Sequence, residues 1–197
     1  MANIFLISDT HFGHEKCCTT FKRNDGTPLR PFENAQEMDE EMVRRWNKVV
    51  REHDKVYHLG DVVIGAKHLA TLSRLNGSKR LIRGNHDIFK TKDYLQYFKE
   101  IYGIRVLEDM VLTHVPLHPE SITQRWRVNV HGHLHANRVT ITKSTLETKI
   151  NDPLYFSVCV EQIDYRPIEL SELREKINLQ FEEHGDDLNH AEYVHIR

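Results

Sequence analysis

The sequence predicts a mixed α/β layered domain, parallel in its first half and antiparallel in its second. Three observations carry that expectation. Short β-rich runs recur along the whole chain, segments of helical period separate the early runs, and the later runs follow one another as strands. With 197 residues, 39% of them hydrophobic and 28% charged, the chain has the size and composition of one globular domain, residues 1–197.

The first strand, Ile4–Ser8, begins almost at the start of the sequence. An irregular stretch follows over Cys17–Asn34, with Asp25-Gly26 and two prolines. A loop of that length in a compact domain is more often functional than idle. A helix over Ala35–Arg51 comes next: Ala35, Met38, Met42, Trp46 and Val49 recur at three- and four-residue spacing among charged neighbours, which assigns Met38, Met42 and Trp46 to the core. Strand Lys55–Leu59, helix Ala66–Leu75, strand Lys79–Arg83 and helix Asp93–Ile101 complete the alternating half. Strands at Arg105–Leu107, Met110–Thr113, Arg127–Val130, Arg138–Thr142 and Tyr155–Val160 make up the second half, before a last helix near Ser171–Glu183. Gly185–Arg197 is polar and reads as a loosely held tail.

Composition narrows the classes of function. A formal net charge of -2 gives no global basic footprint, so nucleic acid is not expected as an obligatory partner. No apolar run approaches the roughly 18 residues of a membrane helix, so no membrane partner is expected. The opening residues lack the basic start and cleavage site of a signal peptide. Three cysteines, Cys17, Cys18 and Cys159, are an odd and sparse set, which points to a reducing cytoplasm. Oligomeric state has no signature in the sequence. The anomaly is histidine, at 14 residues, which directs attention to metal chemistry.

Five clusters sit where predicted strands end. Asp9-Thr10-His11-Phe12-Gly13-His14 follows the first strand; on an extended chain Asp9 and His11 would project to one side, as two ligands of one ion. Gly60-Asp61 follows the second strand, and a carboxylate there equally suits a helix cap. Gly84-Asn85-His86-Asp87 follows Lys79–Arg83; Gly-Asn is a common turn pair, but His86 beside Asp87 is a natural general-acid arrangement. His114 follows Met110–Thr113, where a lone histidine is more often structural. His131-Gly132-His133-Leu134-His135 closes the set. Three histidines in five residues are hard to explain by packing, since buried imidazoles need hydrogen-bond partners. In α/β sheets the strand ends face the crevice where ligands bind. Oxygen and imidazole donors without cysteine suit manganese, iron or zinc better than a structural zinc site.

The ordered set Asp-x-His, Gly-Asp, Gly-Asn-His-Asp, His and Gly-His-x-His, running from Asp9 to His135, resembles the calcineurin-like metallophosphoesterase signature. Asp9–His14, Arg30-Pro31-Phe32, Trp46-Asn47 and Val56–Asp61 resemble a compact bacterial and phage branch of it. The resemblance implies a four-layer α/β/β/α sandwich of two mixed sheets flanked by helices. It implies two divalent ions (manganese first; iron, zinc, nickel or cobalt as alternatives), one held by Asp9, His11 and His135, the other by Asn85, His114 and His133, with Asp61 bridging. The reaction it implies is hydrolysis of a small phosphoester, such as a nucleotide, with a phosphodiester favoured and a metal-bound hydroxide attacking phosphorus. His86 would assist the leaving oxygen and Asp87 would orient His86. His14, Arg30 and His118 are candidates for gripping the substrate phosphate, with Arg23 and Arg83 behind them. A phosphomonoesterase, a nucleoside polyphosphate hydrolase or a non-catalytic scaffold of the same fold are the alternatives. Val62-Val63-Ile64-Gly65 stands where protein phosphatases of the superfamily carry Asp-Arg-Gly, which argues against that activity.

Overall fold

A computed structural model describes residues 2–122, 125–143 and 148–184. The expected tail, Gly185–Arg197, lies outside the described residues. Four parallel strands, β1 (Ile4–Ile7), β2 (Lys55–His58), β3 (Ser78–Ile82) and β4 (Glu100–Tyr102), run side by side in sequence order. A short antiparallel strand near the C-terminus, Ile168–Glu169, covers the outer edge of β1. The second sheet contains β5 (Arg105–Leu107), β6 (Met110–Leu112), β7 (Val128–His131) and, after a separate hairpin of β8 (Thr140–Lys143) and β9 (Thr148–Asn151), the strand β10 (Tyr155–Ser157). Its order is β10-β7-β6-β5; β10, β7 and β6 are parallel and only β5 is reversed. The Ile168–Glu169 strand is β11.

The second half is therefore less antiparallel than its pattern suggests. Its inner strands carry consecutive buried residues rather than an alternation: Met110, Val111 and Leu112, then Val128, Asn129, Val130 and His131. That is the mark of strands covered on both faces. One hydrophobic core joins Leu6, Ile7, Leu81 and Ile82 of the first sheet to Met110, Leu112, Val128 and Val130 of the second. The two mixed sheets, with helices on their outer faces, form the α/β/β/α sandwich.

Helix α1 is a single turn, Lys16–Thr19, inside the stretch expected to be irregular, with Cys17 and Cys18 buried. Helix α2, Ala35–Val49, buries Met38, Met42 and Trp46 as its spacing requires, and Asn34 caps it by accepting from the Glu37 amide at 2.9 Å. Residues Ala66–Arg74 form a 3₁₀ rather than an α-helix. Leu69, Leu72 and Leu75 are its buried side and its exit, and a strict period of three is what a 3₁₀ turn satisfies. The helix expected over Asp93–Ile101 shrinks to α3, Thr91–Tyr94, because Glu100–Tyr102 pairs with β3 as β4. Edge pairing outweighs a helical spacing that lasts little more than a turn. Strand β10 stops at Ser157, three residues short of the expected Val160, where a 3₁₀ turn over Val160–Gln162 takes over. Helix α4 is the short Pro119–Ile122, and α5, Leu170–His184, packs Leu173 and Ile177 into the core. Among the described residues no helix is long and apolar enough to cross a membrane.

The sheets meet where the chemistry-bearing residues gather. Ser8 bridges in parallel to Cys159, donating its amide to Val158 at 2.8 Å and accepting from the Val160 amide at 3.2 Å. The C-terminal ends of β1, β2 and β3 are thereby held against those of β6, β7 and β10.

Candidate metal centre

Asp9, His11 and His135 present ligand atoms within 4.8 Å of one another, and Asp9, Asp61 and His114 do the same. The His11 Nε2 lies 3.7 Å from Asp9 Oδ1 and 3.6 Å from Asp61 Oδ2; Asp61 Oδ2 lies 3.4 Å from His114 Nε2, and Asp9 Oδ1 lies 4.0 Å from His135 Nε2. Most of these separations are too long for hydrogen bonds. Two donors each about 2.1 Å from a shared ion are about 3–3.5 Å apart, so the spacing is close to that of ligands around a cation. Asn85 Oδ1 joins from the β3 loop, 2.8 Å from His114 Nε2 and 3.0 Å from His133 Nδ1. All seven residues expected to hold metal are thus drawn to one place.

The local backbone is unusual. Asp9, His11, Asp61, His133 and His135 all have positive φ, between 48° and 70°. Such a left-handed conformation in a non-glycine residue costs of order 1–3 kcal/mol and persists only where its surroundings enforce it. It also corrects the picture of an extended chain: the side chains of Asp9 and His11 converge through left-handed turns, not through strand alternation. Neighbouring glycines make room. A Cβ on Gly60 would sit 2.6 Å from the Gly84 nitrogen, and one on Gly132 would collide with Ser8 and Asp9.

Each carboxylate is fixed by one oxygen and presents the other. Asp9 Oδ2 accepts from the Ser8 hydroxyl, the His133 amide at 2.8 Å and the Cys159 thiol at 3.3 Å. Its Oδ1 is buried without a hydrogen-bond partner. Asp61 Oδ1 accepts from the His86 amide at 2.8 Å, leaving Oδ2 between His11 and His114. Both ring nitrogens of buried His11 are also without a hydrogen-bond partner. Unpaired buried polar atoms are expensive. An orphaned carboxylate oxygen, Asp9 Oδ1, and an orphaned imidazole nitrogen, His11 Nε2, facing each other at 3.7 Å fit a divalent ion.

Electrostatics agrees. Burial raises the Asp9 pKa, yet contacts with His11, His114 and His135 outweigh it and hold the carboxyl far below the usual range. Burial likewise opposes ionisation of Asp61, and His114 and His11 overcome it. Burial disfavours a charged His114, but Asp61 and Asp9 lift its pKa to about 9. The two carboxylates therefore favour positive charge beside them, as the raised pKa of His114 shows.

Around the cluster, His86 is exposed, its ring 5.5 Å from that of His11. His14 sits at the mouth, 5.4 Å from the His11 ring and packed edge-on against Phe21, with Nδ1 3.2 Å from the Cys17 sulfur. Burial, aided by the neighbouring positive groups, lowers its pKa to about 4, so it is neutral at pH 7.

Other expected residues have different work. Asp87 does not reach toward His86: its buried carboxylate accepts from the backbone amides of Asp61, Val62 and Gly84 at 2.8–3.0 Å, stapling the β2 loop to the β3 loop. Arg30, expected at the substrate, is completely buried behind the centre; it pairs with Glu161 at 2.8 Å and donates to the Asp9 and Thr10 carbonyls. Arg83 holds the carbonyls of Asp87 and Phe89, and Arg23 holds that of Leu29. His118 is exposed beside α4, where its Nδ1 accepts from the Glu120 amide at 3.3 Å. Arginines after a strand or in a loop look alike in sequence; only the fold shows which ones are enclosed.

One contributor went unread. Glu161 has no exposed side-chain surface, and its Oε1 lies 3.1 Å from His135 Nδ1 as well as 2.8 Å from Arg30 Nε. It follows the apolar run Tyr155–Val160 that the sequence marks as a strand, the position shared by the five motifs, and the same rule extends to it.

Residues 2–150 match the model of the calcineurin-like phosphoesterase superfamily domain. The chain belongs to that superfamily. This phosphoesterase-superfamily chain is 35% identical over 184 residues to the uncharacterized protein MJ1445 of Methanocaldococcus jannaschii, covering 86% of its own length and 88% of the relative's. It is 26% identical over 175 residues to the gene 66 protein of Mycobacterium phage D29, covering 72% and 83% of the two chains. Its fold matches the crystal structure of AQ665, a protein of unknown function from Aquifex aeolicus, with a TM-score of 0.64 at 27% identity, over 89% of this chain and all of that one.

Proposed function

We propose that the protein is a phosphodiesterase that works with two divalent ions, manganese first among them. Asp9, His11 and His135 would hold one ion, Asn85, His114 and His133 the other, and Asp61 would bridge them. The observation that carries this reading is the pair of carboxylates, each anchored through one oxygen and offering the other to histidine nitrogens, with Asp9 Oδ1 and His11 Nε2 both buried without a hydrogen-bond partner. Bound there, the ions would neutralise phosphoryl oxygens and acidify a water between them.

The chain's own groups then divide the remaining work. His86, exposed with its ring 5.5 Å from that of His11, would give a proton to the leaving oxygen. Asp87 and Arg83 keep the Gly84–Phe89 loop in place from behind. The preference for a diester follows from charge. The arginines expected near the substrate, Arg23, Arg30 and Arg83, each bond backbone carbonyls, and His14 at the mouth is neutral. A monoester dianion would want guanidinium forks; a diester carries one negative charge and needs fewer. A small soluble nucleotide diester is the substrate class this suits, in a cytoplasmic setting.

The test compares bis-p-nitrophenyl phosphate with p-nitrophenyl phosphate, using chelator-stripped protein reloaded with manganese. Hydrolysis should depend on the ion and favour the diester. Metal-loaded protein that turned over neither compound would sink the catalytic reading, and a preference for the monoester would sink the diester assignment.

A further inference from the structure

Beyond residue 150, where the match to the superfamily ends, four successive residues reach back to the centre. Cys159 donates its thiol to Asp9 Oδ2. Val160 pairs its amide with Ser8, the residue before Asp9. Glu161 accepts at His135 Nδ1, and Gln162 donates its side-chain amide to the His135 carbonyl at 3.0 Å. His135 is one of the residues in a left-handed conformation, so contacts to both its ring and its backbone are what keep it there.

The decisive contact is the Glu161 bond. A carboxylate can only accept, so the proton of this contact lies on His135 Nδ1. The free electron pair is then on Nε2, the atom that faces Asp9 Oδ1 from 4.0 Å in a ring stacked on that of His11. Glu161 can remain ionised in the interior because Arg30 lies against it, and Arg30 spends its other nitrogens on the carbonyls of Asp9 and Thr10. One buried ion pair thus grips two of the three residues that surround one ion position. Among the described residues, neither partner of that pair is hydrogen-bonded to Asn85, His114 or His133, which build the second position.

Resting on the two-ion reading above, we propose that Glu161 is the positioning residue of the Asp9–His11–His135 position, fixing the tautomer and direction of His135 so that this ion binds tightly. The C-terminal segment Cys159–Gln162 is then part of the metal centre, not only a strand connection.

The experiment titrates manganese into chelator-stripped protein by calorimetry, for wild type, Glu161→Gln and Glu161→Asp. The glutamine keeps the size and loses the charge; the aspartate keeps a charge for Arg30 and draws it away from His135. Thermal denaturation of the stripped proteins shows which variants fold. Should Glu161→Gln leave Arg30 too poorly paired to fold, the aspartate carries the test alone. The expected result is that one of two ions binds about 10–100-fold more weakly, the usual worth of a group behind a metal-bound histidine, while the other ion is unaffected. A folded variant that binds both ions as wild type does overturns the proposal, and so does equal weakening of both. Wild-type protein that binds no pair of ions is a separate result: it removes the two-ion reading itself.

Discussion

At Asp9 and Asp61 the two oxygens of one carboxylate do different things, and the difference predicts what substitution will do. Oδ1 of Asp61 is bonded to the His86 amide and keeps its loop in register, while Oδ2 stands between two imidazoles. Asp61→Asn preserves the first contact and removes the charge from the second. Both ions should bind more weakly in the variant, and hydrolysis should collapse, although the fold survives; metal content by mass spectrometry beside circular dichroism checks this. His86→Ala should do the reverse. Its ring lies beside His11 but outside the ligand set, so metal content should stay near normal while turnover slows by about 10²–10⁴-fold. Loss of metal from the His86 variant would reassign it as a ligand. These residues were legible because their motifs are ordered and dense in histidine. Asp87 was legible as a site residue but not in its role, because a carboxylate next to a histidine in sequence can point away from it, as this one does toward three backbone amides.

Between elements, the contact that governs the first motif is made by α2. Asp39, on the buried side of that helix, accepts from the Gly13 amide at 3.0 Å and ties the loop carrying His11 and His14 to the helix. Burial raises its pKa from 3.8 to about 6, against smaller opposing effects of the Gly13 bond and Arg30. A carboxyl whose folded pKa lies above its unfolded value binds protons more readily when folded. Its contribution to stability is therefore greatest below about pH 4 and is lost as pH rises through about 6. Asp39→Asn keeps a carbonyl acceptor for Gly13 and removes the buried charge. At pH 7 the variant should be more stable than wild type by about 1–3 kcal/mol, a gain that shrinks toward pH 4. Urea denaturation of both proteins at pH 4, 5.5 and 7 measures it, and parallel stability curves would refute the claim. Helix α2 was the element most fully readable from sequence, since its apolar spacing runs for four turns. The sequence marks the Ala66–Arg74 helix but not that it is 3₁₀, because Leu69, Leu72 and Leu75 fit the first turns of either kind of helix. Strand β4 was missed because three residues at a sheet edge carry too little pattern to outweigh the helical spacing before them.

Over the whole molecule, the parallel strands of two sheets end at one seam, and backbone hydrogen bonds cross that seam. Ser8 is bonded to Val158 and Val160, Asp9 and His11 donate amides to Gly60 and Asp61, and Asp87 joins the β2 and β3 loops. The sandwich should accordingly fold without ions, while Asp9 Oδ1 and the His11 nitrogens within it are left without hydrogen-bond partners. An ion that binds only the folded state adds stability that grows with the logarithm of its concentration, about 2.7 kcal/mol at one hundred times its dissociation constant. In a domain of this size each kcal/mol moves the melting temperature by about 2–4 °C. Stripped protein should therefore show a cooperative transition of its own, and manganese should raise its midpoint by roughly 5–10 °C per tightly bound ion. Asp61→Asn should blunt that rise, since the charge drawing the ions together is gone. Differential scanning calorimetry across a manganese series decides the matter. A stripped protein without any transition would mean that the ions build the seam instead of occupying it, and a midpoint indifferent to manganese would mean that the cluster does not bind it.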